Sequence, residues 1–277
     1  MNLNAIKQRL ATMQQRGGSG QKNNKLAENI WKPTVGKHQV RIVPAKWDKE
    51  NPFKEMFFHY GISKYPMSSL INYGEKDPIV EFSQVLSKQQ PYDPENYKKA
   101  KKLEPKMRVF APVIVRGQED KGVRLWEFGK EVYMELLAIA EDEDVGDYSD
   151  TLQGRDLTVD TVGPDQSGRQ FNKTTVRVKA KITPLSEDAS KIKTWLTVQP
   201  DPLEIFTRNT YEELKQALVE FLDEGTEEEE DEVEETEEEE TPVKAEEKKP
   251  AGKKYTLNTK KKEADIDKEF DELFEEE

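Results

Sequence analysis

Residues 106–128 read KMRVFAPVIVRGQEDKGVRLWEF, and this stretch decides the fold class of the chain. The mostly apolar segment 109–116 is typical of a buried β-strand, and the glycine-containing segment 117–122 is typical of a turn. Residues 123–128 alternate in polarity, as a half-buried strand does. The stretch therefore predicts a β-hairpin, and a helical pattern follows it directly at residues 130–140.

Outward from this hairpin, the chain contains more strand patterns than helix patterns. Further strands are predicted at residues 38–43, 157–162, 174–183 and 195–198. A helix is predicted at residues 210–222, where Thr210 and Glu213 have the spacing of a capping box. Many short strands with few helices predict an α+β, β-rich domain built on a small barrel.

Charge is distributed unevenly along the 277 residues, whose formal net charge is −13. Residues 1–22 contain four basic groups and no acidic group, and residues 23–140 have a net charge of +5. Residues 141–222 have a net charge of −6, and residues 223–277 have a net charge of −16. The basic first half keeps nucleic acid open as a partner, although the total charge alone would argue against it.

The composition excludes several classes of protein. Only 34% of the residues are hydrophobic, whereas globular domains are about 45–50% apolar, so part of the chain is predicted to stay outside any packed core. The absence of cysteine excludes a disulfide scaffold, a thiolate metal site and a thiol nucleophile. No apolar run is long enough to span a membrane, and no signal-peptide core is present. We therefore expect a cytoplasmic protein without a membrane partner.

Composition also divides the chain into a basic arm at 1–24, a core domain at 25–222 and an acidic tail at 223–277. The arm combines apolar residues at helical spacing with basic groups and runs into the sequence RGGSGQKNN, which is typical of a flexible linker. Such a short helix is not stable alone, so the arm needs a partner surface.

The tail is too acidic to fold by itself, and we expect it to be disordered. It is either a solubilising extension or a competitor of nucleic acid for a basic groove. Its end places apolar residues at i, i+4, i+7 and i+8 among acids, which is typical of a partner-binding peptide. The residues of this peptide are Ile266, Phe270, Leu273 and Phe274.

Signatures of catalysis are absent from the sequence. We find no phosphate-binding loop, no nucleophile elbow and no zinc-protease helix. Neither His38 nor His59 has a partner histidine nearby. We therefore predict that the protein is not an enzyme and has no catalytic residues. A metal-dependent nuclease stays an alternative, because 56 acidic residues make carboxylate pairs uninformative.

Residues 92–110 interleave aromatic rings with cations. Bases stack on exposed rings while lysine and arginine contact phosphates, so this pattern predicts a groove for single-stranded nucleic acid. The alternative is a solvated, lysine-rich loop. The candidate DNA-binding residues of this segment are Tyr92, Tyr97, Lys98, Lys99, Lys101, Lys102, Lys106, Arg108 and Phe110.

Two of the predicted strands also carry cations on one face. On 123–128, alternation places Arg124 on the same face as Trp126 and Phe128, which suits stacking and phosphate contact. Alternatively both rings belong to the core and Arg124 reaches past them to solvent. On 174–183, an apolar face is opposed by a cationic one that either follows a phosphate backbone or is an ordinary solvent face. The candidate residues on that face are Arg177, Lys179 and Lys181.

In order and spacing, these motifs resemble the single-stranded DNA-binding (helix-destabilising) proteins of T4-like bacteriophages. The resemblance covers most of residues 1–225, and the acidic tail matches in character. It is carried by Trp31-Lys32, Val40-Arg41-Ile42 with Pro44, Pro52-Phe53, His59 with Gly61, residues 106–115, and Trp126-Glu127-Phe128-Gly129-Lys130.

The resemblance implies an OB-fold core that binds single-stranded DNA without sequence preference. It places a stacking ring at Trp126 and basic contacts at Lys106 and Arg108. It implies that the tail recruits phage replication and recombination proteins in the infected host cell. It also implies that the arm contacts the neighbouring protomer and makes binding cooperative, here through Leu3, Ile6, Lys7, Arg9 and Leu10.

Members of this family commonly hold a structural zinc ion with one histidine and three cysteines. His59 matches the histidine, whereas Asp77 and Val80 stand at two cysteine positions and residues 67–70 contain no third cysteine. One histidine and one carboxylate cannot close a tetrahedral zinc site, so we predict no metal and no cofactor. We expect this region to be held by the packing of Tyr65, Leu70, Ile79 and Phe82.

The sequence therefore predicts a non-enzymatic, cooperative, sequence-independent single-stranded DNA-binding protein. Its expected role is to coat and protect single strands during phage DNA replication, recombination and repair. One alternative is an RNA-binding regulator. Another is an interaction protein that uses its acidic tail and has no nucleic-acid groove.

Overall fold

The computed structural model describes residues 28–223, which contain eight strands and seven α-helices. The strands are β1 (Ile30–Trp31), β2 (Gly36–Ile42), β3 (Lys54–His59), β4 (Met67–Ser68), β5 (Lys106–Val115), β6 (Arg124–Phe128), β7 (Arg155–Val162) and β8 (Lys173–Ile182). The helices are α1 (Pro78–Lys88), α2 (Pro94–Leu103), α3 (Lys130–Glu141), α4 (Pro164–Ser167), α5 (Ala189–Thr197), α6 (Pro202–Ile205) and α7 (Tyr211–Asp223). This part of the chain is α+β and β-rich, as predicted.

The described chain divides into two compact units. Unit 1 consists of residues 28–58 and 106–208, and unit 2 consists of residues 59–105 and 209–223. The region predicted as a single core at 25–222 thus contains two units. The predicted arm at 1–24 and all but the first residue of the tail predicted at 223–277 lie outside the described residues.

Unit 1 is built on a sheet with the strand order β1-β6-β5-β2-β7-β8. β1 runs parallel to β6, and the other neighbouring strands are antiparallel. β5 and β6 form the predicted hairpin, and the other edge of β5 is shared by two strands. β3 pairs with the first half of β5, and β2 pairs with its last three residues.

The core of unit 1 lies between this sheet and helix α3. Val40, Ile42 and Val113 have no exposed surface, and they contact one another in a single apolar cluster. From α3, Val132 and Leu136 face the same cluster, because residues four apart share one face of a helix. Each fully buried aliphatic side chain contributes about 1.5–3 kcal/mol of transfer free energy to folding.

A buried arginine connects the sheet of unit 1 to its loops. Arg41 has no exposed surface, and its Nη1 donates to Asp156 Oδ1 at 3.2 Å. Its Nη2 donates to the backbone oxygens of Asp150 and Thr183. Arg116 donates to the Asp156 carboxylate at 2.8 Å. Burial lowers the pKa of Arg41, although the nearby Asp156 carboxylate opposes that shift. Because its contacts are all within the protein, we assign Arg41 a structural role.

The strand predicted at residues 195–198 is wrong, because most of this segment is the end of helix α5. Asp188 caps the helix by accepting a hydrogen bond from the backbone N–H of Ser190 at 2.8 Å. Trp195 is buried in a small cluster with Val43 and Leu185. The apolar residues Ile192, Trp195 and Leu196 have helical spacing, which a short strand window does not detect.

Unit 2 is formed by α1, α2, α7 and a short 3-10 helix, Leu70–Tyr73. Its core residues Ile79, Leu103, Leu214 and Leu218 are at most 1% exposed. The predicted capping box of α7 is present: the backbone N–H of Thr210 donates to Glu213 at 2.8 Å, and that of Glu213 donates to Thr210 Oγ1 at 3.2 Å. No helix within residues 28–223 is both long and apolar enough to cross a membrane.

Candidate nucleic-acid interface

Helix α2 and the segment just before it present two exposed tyrosine rings and four lysines of unit 2. Asp93 caps it by accepting from the backbone N–H of Glu95 at 2.9 Å, and Pro94 occupies its first turn. Asn96, Ala100 and Leu103 form its buried face. The opposite face and the residue before the cap form what we call the α2 surface, which consists of Tyr92, Tyr97, Lys98, Lys99, Lys101 and Lys102.

The two tyrosines of the α2 surface lie next to each other in solvent. Tyr92 is 62% exposed and Tyr97 is 38% exposed, and their ring centroids are 5.8 Å apart. Lys101 Nζ lies 5.8 Å from the Tyr97 ring centroid and also pairs with Glu104 at 3.2 Å. The segment is thus a capped helix rather than a lysine-rich loop, and its open rings beside cations suit base stacking and phosphate contact.

The basic start of β5 is half-buried. Lys106 and Arg108 share a strand face with Phe110, and exposure falls along that face. Arg108 Nη1 donates to the backbone oxygen of Met107 at 3.1 Å. Phe110 has no exposed surface and packs against Phe206 at 5.3 Å between centroids. We correct the expectation for Phe110, which is a core ring of unit 1.

The cation and the rings of β6 are also inside unit 1. Trp126 has no exposed surface, and its centroid lies 5.6 Å from that of Trp31 and 4.7 Å from that of Phe128. Arg124 is 8% exposed and donates from Nη2 to Gln118 at 2.8 Å, and its burial lowers its pKa. We correct the expectation that Arg124, Trp126 and Phe128 form an exposed stacking face. Trp126 is a core ring, as the alternative interpretation had it, and Arg124 is buried beside it.

The alternation predicted for β8 is present only in its first half, because Ala180 and Ile182 of the predicted apolar face are exposed and Lys179 of the cationic face is half-buried. Val176 is buried, whereas the side chain of Arg177 is 70% exposed. We call Arg177, Lys179 and Lys181 the β8 surface. Lys37 on β2 was not predicted as a candidate. Its Nζ lies 3.8 Å from Asp160 Oδ2, and Arg177 Nη2 lies 3.4 Å from the same oxygen. The polar alternation of residues 36–42 could have identified Lys37.

A buried carboxylate organises the region of unit 2 where the family resemblance places zinc. Asp77 Oδ2 lies 3.0 Å from His59 Nε2, and it accepts from Ser69 Oγ at 2.6 Å and from the backbone N–H of Leu70 at 2.9 Å. Asp77 Oδ1 accepts from the backbone N–H groups of Ile79 and Val80 and caps α1. Helix α1 was not predicted from the sequence, although Asp77-Pro78 is a typical helix start.

The environment of Asp77 favours its ionised form. Burial alone would raise the pKa of Asp77, but the hydrogen bonds from His59, Ser69 and Leu70 outweigh burial and hold the pKa below its ordinary value. Leu70, Ile79 and Phe82 pack as expected, whereas Tyr65 is 66% exposed and lies outside that core. Within residues 28–223, no group of three potential metal ligands is present.

Comparison with known protein families gives one match. Residues 34–163 match the family model described as "gp32 DNA binding protein like". The matched range contains α2, β5 and β6, and it ends before β8. No curated protein matches the chain.

Proposed function

Because residues 34–163 match the model of the gp32-like DNA-binding family, we propose that this protein coats single-stranded DNA cooperatively and without sequence preference. The observation that carries the proposal in the structure is the pair of exposed tyrosine rings set among lysines on the α2 surface. No catalytic step is part of this function, which consists of protecting single strands during phage replication, recombination and repair.

Stacking and charge have separate roles in the proposed binding. Tyr92 and Tyr97 stack on bases, and each stacked base contributes about 1–3 kcal/mol to binding. The lysines of the α2 surface neutralise phosphates and release counterions, so affinity falls by about 0.7 log units per log unit of salt for each phosphate contacted. Neither contact reads a base edge, which accounts for binding without sequence preference.

Within unit 1, the β8 surface, Lys106 and Arg108 are the proposed phosphate contacts. Cations on a strand face can follow a nucleic-acid backbone when the opposite face is packed on a core, as it is at Val176. We propose that the unit 1 sheet is an OB-fold variant, and the sharing of β5 between β2 and β3 supports this assignment.

The proposed roles of both chain ends come from their sequences. The arm, through Leu3, Ile6, Lys7, Arg9 and Leu10, contacts the next copy along the strand and makes binding cooperative. The tail competes with DNA for the basic surfaces, and Ile266, Phe270, Leu273 and Phe274 recruit replication and recombination proteins. Deleting residues 223–277 should therefore tighten oligo-dT binding, most clearly at low salt.

We also propose that unit 2 is held without a metal ion. The Asp77 carboxylate connects His59, Ser69 and the start of α1, so hydrogen bonds take the place of metal–ligand bonds. Prolonged incubation with a chelator should leave the thermal unfolding temperature and the affinity for oligo-dT unchanged. Loss of either on chelation, with recovery on adding zinc, would contradict this proposal.

The experiment that tests the function is a fluorescence anisotropy titration of labelled oligo-dT with the full chain, at low and high salt. Saturable binding that weakens with salt supports the proposal, and no binding at low salt would contradict it. Oligo-U is titrated in parallel, because stacking rings do not discriminate between the two sugars. Tighter binding to oligo-U would favour an RNA-binding regulator.

A further inference from the structure

Helix α3 of unit 1 has an apolar stripe on its solvent side. Val132 and Leu136 bury the inner face of the helix, yet Met134 is 58% exposed and Leu137 is 40% exposed. Ala138 is also exposed and completes the stripe, because residues at i, i+3 and i+4 share one helix face. Two large exposed apolar side chains in adjacent turns form a contact surface that nothing covers within unit 1.

Exposed acidic residues follow this stripe directly. Glu141, Asp142, Glu143 and Asp144 are all exposed, and none has an ion-pair partner within residues 28–223. The earlier acids of α3 are engaged, since Glu131 pairs with Arg169 and Glu135 accepts from a backbone N–H of β8. The carboxylates therefore gather at the C-terminal end of the helix, where the helix dipole also favours a cation.

We propose that the outer face of α3 is the docking site for the basic N-terminal arm of a neighbouring copy of this chain. The site, which we call the α3 surface, consists of Met134, Leu137, Ala138 and the acidic residues 141–144. This inference rests on the proposed function, because it names the surface that receives the arm when copies line up along a strand.

The sequence of the arm is complementary to the α3 surface in both polarity and charge. Leu3, Ile6 and Leu10 recur at helical spacing and match the apolar stripe. Lys7, Arg9 and Arg16 match the carboxylates, and no acid occurs in the first 22 residues to oppose them. A short helix is unstable alone, so burial of its apolar face on α3 supplies the stability that it lacks.

Chain length permits contact between copies. Residues 14–27 separate the apolar part of the arm from the first described residue and span at most about 50 Å when fully extended. DNA holds neighbouring copies close together, so a weak contact gains from a high effective concentration. The arm can therefore remain largely undocked in free protein and dock when copies are adjacent on DNA.

Disulfide trapping tests the contact directly, because the chain has no natural cysteine. Full-length L10C and full-length L137C are mixed, bound to poly-dT and oxidised. We expect a mixed disulfide dimer on poly-dT that is absent without DNA. The control replaces L137C by V198C, because Val198 is 68% exposed but lies outside the α3 surface. Equal dimer yields with both partners would overturn the proposal, as would an internal disulfide in an L10C/L137C chain with none between copies.

Binding measurements separate this proposal from the proposed function. M134S/L137S should lower affinity for poly-dT by about tenfold or more, because two apolar side chains leave the contact. Its affinity for an oligo-dT that binds one copy should be unchanged, and so should its thermal unfolding. Full cooperativity in this variant would overturn the docking proposal, whereas no oligo-dT binding by the unsubstituted chain would contradict the proposed function itself.

Charge exchange gives an independent test with the full chain. E143K/D144K should lose cooperativity on poly-dT, and so should K7E/R9E. A chain with all four substitutions should recover cooperativity, because each repulsion is then replaced by an attraction. If cooperativity did not recover while the affinity for a single-copy oligo-dT stayed intact, the arm would dock at a site other than the α3 surface.

Discussion

Strand β6 and helix α2 both place aromatic rings next to cations, but the two elements differ in what covers them. β6 is paired on one edge with β1 and on the other with β5, and the Trp31 side chain packs against Trp126. Tyr97 lies on the side of α2 that faces solvent, since Ala100 and Leu103 bury the other side, and the exposed Tyr92 ring lies next to it. The same local pattern thus yields a core in one region and a candidate binding surface in the other.

The largest expected effect comes from removing the buried ring. Trp126→Ala should lower the free energy of unfolding by about 3–5 kcal/mol, because a large core side chain leaves a cavity. Denaturant unfolding measures this loss, and Trp126→Phe is the milder control. If Trp126→Ala kept its stability and lost oligo-dT binding, β6 would have to be exposed in the DNA-bound state.

The next largest effect concerns the hydrogen-bond network of Asp77 in unit 2. Asp77→Asn should lower the free energy of unfolding by about 2–3 kcal/mol at neutral pH, because hydrogen bonds to a charged group are lost. The folded-state pKa of Asp77 lies below its unfolded value, so this stabilisation is present above the unfolded pKa and is lost as pH falls through the folded pKa. Denaturant unfolding from neutral to acidic pH should show the two proteins converging, and a constant difference would contradict this.

Removing an exposed ring should affect binding and spare stability. Tyr97→Ala should weaken oligo-dT binding by about 1–3 kcal/mol with a change in unfolding free energy within about 0.5 kcal/mol. Tyr97→Phe keeps the ring and should bind normally. Tyr65→Ala removes another exposed tyrosine of unit 2, outside the α2 surface, and serves as the matched control. If Tyr97→Ala and Tyr65→Ala lost the same oligo-dT affinity, the α2 surface would have no special part in binding.

The smallest expected effect concerns single charges on α2. Lys98→Ala or Lys102→Ala should each lower the slope of log affinity against log salt by about 0.7 if each lysine neutralises one phosphate. Lys193→Ala removes an exposed lysine of α5 and should leave that slope unchanged. A series of titrations at increasing salt measures all three variants, and identical slopes would exclude α2 from phosphate contact.

Features carried by local sequence were the ones that could be predicted. The hairpin of β5 and β6, helix α3 and the capping box of α7 each depend on residues close together in the chain. Trp126 could not be assigned in this way, because its burial depends on Trp31, which is far away in sequence. Alternation also failed on β6, since a strand covered on both faces has no exposed side to reveal.

The candidate site was predicted only in part, again because local sequence does not show contacts between distant residues. The residues of the α2 surface were named from composition, but composition does not orient them. A helix does, and its lysines obscure its apolar periodicity. The network of Asp77 was missed altogether. It joins residues from β3, a 3-10 helix and α1, and no spacing rule connects His59 to Asp77 unless a metal ion is expected.

The division of unit 2 into two pieces of chain has a consequence for its synthesis. Leu214 and Leu218 of α7 complete the core that Ile79 and Leu103 begin, and all of residues 106–208 lie between the two pieces. On the ribosome, the first piece therefore emerges with its apolar face uncovered and waits until α7 has left the exit tunnel. A nascent chain stalled before residue 209 should bind chaperones and be cleaved by protease within residues 59–105, whereas one stalled well beyond residue 223 should be protected.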